Sequence, residues 1–526
     1  MVESFSGMIE NSARGSLVLM LGQMASTIIS ALGVIFVARL LGSSSYGLIS
    51  IAIIPVNLAM LMINNGVTSA LTHFIAQDRH MNNGNNVKNI IYTGFTINAA
   101  AGLLTSLVLY LSAGYIANNF FTRPELTQLI RILSLMTLAQ SLVSTSASVL
   151  IGFESMGHQN LLNVLYSLLK SIIGPVLVYL GYGLGGAAFG YVTPLLITGV
   201  AGVLLVTINL EKQGQTSFDR GYFNEILSYS APIFVSALLS GIFLQSLNFI
   251  LPLYASDSAI GNLSAATNFT VLISFILTPI STAMFPLLSK LKPSDSVFQS
   301  VYNNIIKYEA IVAYPIAAGV IALSSRMVDI LYGADYQASI VYIQIIMLNY
   351  LFLGLGSGVN GILLNSQKKN DIQLRTTLIY LLVGVPMGIL LIPRYGVLGY
   401  QATTILAPLL GLLYTILWIR KNLGISLDLS STGKIMLSAI VGYAACIIVL
   451  KRLSFNPWVE LFLGGTALAL CYIASILFTG ALTEKNIYDI KQITDKNKIG
   501  KTLVGPVLGI LMRLAHHASA RRASHD

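Results

Sequence analysis

About fourteen apolar stretches, each long enough to cross a bilayer as a helix, take up most of this chain, and the first twelve form two halves that repeat one another. Hydrophobic residues make up 55% of the 526 and charged residues only 10%, too few charges to cover a soluble surface. The reading is an all-α polytopic membrane protein. The stretches run Gly15 to Ala38, Tyr46 to Leu71, Ile90 to Ala117, Gln128 to Ile151, Leu161 to Leu180, Leu184 to Leu210 and Tyr229 to Leu253. They continue Leu263 to Ser289, Ile305 to Ser324, Ser339 to Leu364, Thr376 to Ile392, Val397 to Ile419, Lys434 to Leu450 and Pro457 to Phe478. Barrel strands would be half as long and would alternate, so helices fit better.

The positions of the cations predict orientation. With the N-terminus inside, about 22 Lys and Arg face the cytoplasm and about 7 face outward, among them Arg39, Arg123, Arg326 and Arg394, which places both termini in the cytoplasm. The net charge of +10 then reads as a face against anionic headgroups and not as a nucleic-acid footprint. The first segment carries Glu3 and Glu10 and runs into a full-length span, so the first helix is expected to act as an uncleaved insertion signal. Cys446 and Cys471 both fall in late spans, where they read as packing residues and not as a disulfide or metal framework.

The repeat is visible residue by residue. Gly152-Phe-Glu-Ser-Met-Gly-His-Gln-Asn160 follows the fourth span as Leu364-Asn-Ser-Gln-Lys-Lys-Asn370 follows the tenth. Pro175 and Pro386 lie in the fifth and eleventh spans, which lead to Tyr182-Gly-Leu-Gly-Gly and Tyr395-Gly-Val-Leu-Gly; Pro194 and Pro408 follow. Val67-Thr-Ser-Ala70 matches Ile280-Ser-Thr-Ala283, and the offsets are all about 210 to 214 residues. Six spans is an even number, so the two halves enter from the same side and form parallel repeats, an arrangement that places a substrate cavity between two lobes. The predicted divisions are an N-terminal lobe over 12–215, a C-terminal lobe over 220–423, an extra helix pair over 434–480 and a basic tail over 481–526. Within the tail, Leu503 to Leu514 is apolar but too short to cross, and reads as a helix lying on the cytoplasmic face.

Three segments carry a resemblance. Val37-Ala-Arg39-Leu-Leu-Gly-Ser-Ser-Ser-Tyr-Gly47, Asn65-Gly-Val-Thr-Ser-Ala-Leu71 and Leu331-Tyr-Gly-Ala-Asp-Tyr336 resemble the polysaccharide-biosynthesis flippases, the Wzx-like branch of the multidrug/oligosaccharidyl-lipid/polysaccharide exporter superfamily. The resemblance covers roughly Ser12 to Leu423. It implies two bundles around a V-shaped cavity that turns a polyprenyl-pyrophosphate-linked glycan from the inner to the outer leaflet of the cell membrane. Membrane lipids, and glycosyltransferase, polymerase or ligase enzymes, would be its partners.

Such a cargo carries anionic phosphate and a hydroxyl-rich head, so it needs cations and hydrogen-bonding groups at membrane depth. Lys170, inside the fifth span, is the candidate phosphate ligand, with snorkelling to the inner interface as the alternative. Arg39 and Arg14 bracket the first span, where each reads as phosphate ligand or interface anchor. Glu309, a carboxylate well inside the ninth span, would bind a coupling proton or sodium ion or else pair with Lys307 at the membrane edge. Gln23, Asn57, Asn98, Gln140, Gln245, Asn248 and Asn268 would line the cavity or join helices.

Enzyme signatures are missing. Ile499-Gly-Lys-Thr502 lacks the earlier glycine of a phosphate-binding loop, since Asp495 stands there, and His516-His517 are adjacent, where zinc-binding helices need ligands a turn apart. No resident cofactor or metal is expected. Asn262-Leu-Ser264 has the form of a glycosylation acceptor. Two other classes stand beside the flippase. A multidrug or cation antiporter of the related superfamily branch usually has twelve spans; a membrane glycan enzyme would need large outer loops, and the outer loops here are short.

Overall fold

The computed structural model describes residues 5–61, 63, 66–80, 84–210, 220–275, 277, 288–289, 291, 296–452, 455–484, 486–488, 491, 509 and 512, with the side chains of 5–21, 79, 80, 84, 85, 209, 220 and 296 excepted. Among the described residues the secondary structure is helical throughout, and eleven helices are long and apolar enough to cross a membrane. In the first part of the chain these elements are α1 (Phe5–Leu61), α2 (Val67–His80), α3 (Gly84–Tyr115), α4 (Leu126–Gly152), α5 (Met156–Leu177), α6 (Gly183–Asn209), α7 (Arg220–Ile250) and α8 (Asp257–Asn268). They are followed by α9 (Ser296–Leu331), α10 (Ala338–Leu348), α11 (Asn360–Ser366), α12 (Asn370–Tyr395), α13 (Val397–Leu423), α14 (Leu429–Arg452) and α15 (Pro457–Thr479).

Two of the eleven candidates, at 40 and 53 residues, are long enough for two crossings. The helical run of α1 covers 57 residues, roughly 85 Å at 1.5 Å per residue and far beyond a hydrocarbon core of about 30 Å. It breaks at Gly42, where φ is 76° and ψ is 166°, a conformation that a side chain would oppose. The 53-residue stretch Met156–Ile208 breaks in the same way at Gly181 and Gly183, with φ of 91° and 51°. Both breaks lie where a turn was expected between spans. The expected span Leu263 to Ser289 lies partly outside the described residues.

Two expected spans need correction. The segment Tyr46 to Leu71 is not continuous: the helix stops at Leu61 and a new one starts at Val67, after Asn64, Asn65 and Gly66 interrupt the apolar run. The segment Ser339 to Leu364 is also broken. It holds α10, a tighter 3-10 stretch over Asn349–Leu355, a left-handed Gly356 with φ of 86°, and α11. Glycines at 354, 356 and 358 supply the freedom for that break, and Gly358 lies so close to α9 that a Cβ there would meet the Glu309 carboxylate.

By contacts the chain groups into two units. One comprises Met1–Val271, Leu331–Tyr342 and Leu374–Gly411; the other comprises Leu272–Ile330, Ile343–Gln373 and Leu412–Asp526. In the first, Leu71, Ile75, Ile90, Leu150, Leu162 and Val206 form a core where α2 to α6 meet. In the second, Tyr314 and Leu323 of α9 pack with Ile435 and Cys446 of α14 and Leu468 and Tyr472 of α15, so the extra helix pair is fixed to α9. Arg326 of α9 also donates to Glu460 of α15, which accepts from the Phe455 N–H as well. Asp428 precedes α14 and accepts from the Ser431 N–H at 3.0 Å. Burial pushes its carboxyl up, but the Ser431 bonds with Lys307 and Lys434 nearby outweigh that and hold it below the usual carboxylate range.

Two turns share a backbone shape. Glu154 and Lys368, about 214 residues apart, both take φ of 57° although neither is glycine. Ser155 N–H donates to Leu150 O at 2.8 Å, and Lys369 N–H donates to Leu364 O at 2.8 Å. Outward-facing leucines such as Leu103, Leu104 and Leu111 on α3, with Phe462 and Phe478 on α15, supply the apolar exterior that lipid requires.

Candidate functional site

Lys170 sits where α1, α5 and α6 converge. The convergence depends on small residues, which let helix backbones approach closely in lipid. A Cβ on Gly190 would overlap the Gly174 backbone, and a Cβ on Gly33 would overlap the Ser171 backbone. Ser171 adds a hydrogen bond across the seam, its Oγ donating to Ile29 O at 2.5 Å. The result is a recess lined by Gly33, Val34, Val37, Lys170, Gly174 and Tyr191 among others.

Within it the half-buried lysine holds its Nζ 4.9 Å from the Tyr191 ring centroid and 5.7 Å from that of Tyr166. Aromatic faces stabilise a cation without neutralising it, by about 0.5–2 kcal/mol depending on desolvation. Among the described residues no carboxylate forms an ion pair with Lys170. A positive charge kept at membrane depth by rings and not by a counter-ion retains the capacity to attract an anion. Tyr166 lies one helical turn before Lys170, so its position was available from spacing on α5. Tyr191 comes from α6 and had no local signal.

The other candidates fall into separate groups. Gln23, exposed on α1, accepts from Asn163 Nδ2 of α5 at 3.4 Å, along the seam that holds Lys170. Asn98 is buried and donates to Thr145 Oγ1 at 2.7 Å, joining α3 to α4. Gln245 accepts from Asn248 Nδ2 at 3.3 Å, and Asn248 Oδ1 accepts from Tyr400 OH at 2.8 Å, joining α7 to α13. Asn268 donates to Tyr332 OH at 3.1 Å. Asn57 is exposed on α1, Gln140 is half-buried on α4, and Arg39 is exposed near the Gly42 break. The side chain of Arg14 lies outside the described residues.

Glu309 belongs to the second unit and Lys170 to the first. It is fully buried on α9 against the broken segment between α10 and α11. In the same region Tyr302 OH donates to Asn360 Oδ1 at 2.5 Å. Lys307, the neighbour expected as its ion partner, directs its Nζ to Asn486 Oδ1 at 2.9 Å. Asn262, the acceptor-like asparagine, is 2% exposed. Its amide donates to Ser258 O and accepts from the Ser339 N–H, so it is not presented to a glycosylating enzyme. No group of three His, Cys, Asp or Glu that could hold a metal occurs among the described residues.

Comparison with known proteins gives a consistent picture. A family model described as polysaccharide biosynthesis protein matches residues 36–341. The uncharacterized membrane protein MJ1068 of Methanocaldococcus jannaschii is 24% identical over 455 residues, 82% of this chain and 87% of its own. The probable flippase AglR of Haloferax volcanii is 21% identical over 303 residues, 57% of this chain and 62% of its own. Among solved structures, the lipid II flippase MurJ in an inward closed conformation superposes with a TM-score of 0.70 at 17% identity, covering 88% of this chain and 98% of that one. An inward-facing multidrug resistance MATE family transporter of the MOP superfamily gives 0.65 at 17% identity, covering 78% and 98%. At such identities the structural likeness is one of fold.

Proposed function

This chain belongs to the polysaccharide biosynthesis protein family, among the Wzx-like flippases of the multidrug/oligosaccharidyl-lipid/polysaccharide superfamily, and from that premise we propose that it flips a polyprenyl-(pyro)phosphate-linked oligosaccharide from the cytoplasmic to the outer leaflet. The observation that carries the reading is the Lys170 recess. A cation at membrane depth, held by two tyrosine rings, suits an anionic phosphate linker whose glycan head must stay hydrated during passage.

In this reading the chain crosses the cell membrane about fourteen times with both termini in the cytoplasm, and lobes over 12–215 and 220–423 alternate in access to a central cavity. Arg39 and Arg14 would add positive charge for the linker, and Gln23 would meet sugar hydroxyls. Glu309 is the group proposed to take a coupling proton or sodium ion. The protein performs no covalent chemistry. Its buried carboxylate also favours a second reading, a gradient-driven antiporter of cations.

The test uses sealed proteoliposomes containing purified protein and a fluorescent polyprenyl-pyrophosphate oligosaccharide, with a membrane-impermeant quencher outside. Protein-dependent movement between leaflets is expected. Failure of that movement together with gradient-driven uptake of a cationic dye would replace the flippase by the antiporter.

A further inference from the structure

The break in α1 at Gly42 opens onto an unusual contact. Gly47 and Gly261 meet so closely that a Cβ on Gly47 would overlap Asp257 O, while a Cβ on Gly261 would overlap Ser43 O. Each would also lie 3.0 Å from the other glycine's backbone nitrogen. Exchange every residue for the one about 214 positions away and this description is unchanged. The contact is isologous, as at the two-fold axis of a homodimer, although it lies within one chain. Ser43 Oγ and Ser258 Oγ, 2.7 Å apart, lie beside it.

A second ring of contacts begins with the same symmetry and then departs from it. Tyr336 OH donates to Ala38 O at 2.6 Å, and Arg123 Nη1 donates to Pro252 O at 2.7 Å, with the two carbonyls again about 214 residues apart. Arg123 goes further. It donates from Nη2 to Ala255 O at 2.9 Å and from Nε to Asp257 Oδ1 at 2.6 Å, so its guanidinium ties the segment between α3 and α4 to the turn after α7 and to the first residue of α8. Charge-assisted bonds in a fork geometry are stronger and more directional than a single hydroxyl contact.

We propose that this junction is a seal that parts in each transport cycle, and that Arg123 is the bolt that holds it shut. At the glycines the two faces meet as backbone and exchangeable hydrogen bonds, and beside them the contacts are between flat rings, Tyr46 edge-on to Tyr336 with centroids 6.5 Å apart and Phe121 stacked on Phe249 at 5.8 Å. Backbone faces and flat rings can separate with less repacking than interlocked branched side chains would need. The proposal rests on the flippase reading in one respect: the orientation with both termini in the cytoplasm puts the seal at the outer end.

The experiment uses full-length protein with Cys446→Ser and Cys471→Ser. A lone Ser43→Cys substitution places a thiol at a site 8% exposed. Adding Arg123→Ala is expected to speed its labelling by an impermeant maleimide at least five-fold in sealed vesicles, with Arg123→Lys between. An unchanged rate would overturn the bolt. If Arg123→Ala fails to fold, Asp257→Asn removes the charge partner alone, and a labelling rate equal to that of the parent overturns the bolt equally. Joining Ser43→Cys to Ser258→Cys by oxidation should cut leaflet-to-leaflet movement of the fluorescent glycan lipid at least ten-fold, with recovery on reduction; undiminished movement in fully bridged protein would sink the seal. If unbridged protein moves no glycan lipid, the flippase reading fails, and the labelling rates still decide the bolt.

Discussion

Lys170 and Gly384, about 214 residues apart, occupy matching places on α5 and α12, and their surroundings have diverged. Tyr166 precedes one and Tyr380 the other at the same spacing, and Gly174 and Gly388 follow them. In the first half, Gly33 lets α1 come close, and the lysine lies over its rings. In the second, Phe243 and Leu247 of α7 fill the corresponding space: a Cβ on Gly384 would overlap the Phe243 ring, and one on Gly388 would overlap Leu247. Two seams of like spacing thus hold a charged recess in one and an apolar plug in the other. Seams built on the same spacing of tyrosine and glycine can differ by what fills them.

The contrast makes crossed predictions. Lys170→Ala should lower glycan-lipid movement at least ten-fold, with a melting temperature close to the parent's, because it removes the proposed anion ligand and little packing; retained movement at normal expression would reduce Lys170 to a snorkelling residue. Gly384→Leu should do the reverse. Overpacking costs about 1–3 kcal/mol, so its melting temperature should fall by several degrees while the folded fraction moves cargo normally. A smaller effect is expected at Tyr191, where Tyr191→Leu removes a ring worth about 0.5–2 kcal/mol and should slow movement several-fold. Tyr191→Phe keeps the ring face and should be near normal; equal loss in both would assign the role to the hydroxyl.

The smallest effect should come from Asp428→Asn, a change at the start of α14. Its carboxyl is held low in the folded protein, so its stabilisation is present above the ordinary carboxylate range and is lost as pH falls through the depressed folded value. The variant should melt slightly below the parent at pH 7 and together with it under acid conditions. A difference that persists at acid pH would mean that shape and not charge is responsible.

Class and helicity were legible because hydropathy is a local sum, and a window of apolar residues reports a span without knowledge of its neighbours. The breaks at Gly42 and at Gly181 to Gly183 were legible for the same reason, since polar and glycine residues cluster there. The interruption between α10 and α11 was missed although Gly354, Gly356, Ser357, Gly358, Asn360 and Gly361 cluster there, because the cluster lies within a long apolar window. Leu351, Phe352, Leu353 and Leu355 keep the average apolar, while the cause of the break is a contact from α9, where Glu309 and Tyr302 meet glycines some fifty residues later in the chain. The same limit applies to the site. Lys170 was conspicuous as a charge in an apolar run, but Tyr191 reaches it only because glycines bring α6 against α5.

The paired turns at Glu154 and Lys368 have a consequence for how a repeat is looked for. One position carries a negative side chain and the other a positive one, so a comparison of letters would count them as a mismatch. Their φ angles are both 57°, and the hydrogen bonds beside them are both 2.8 Å long. What the two turns hold in common is a bend in the path, and torsion angles are the alphabet in which that likeness can be spelled.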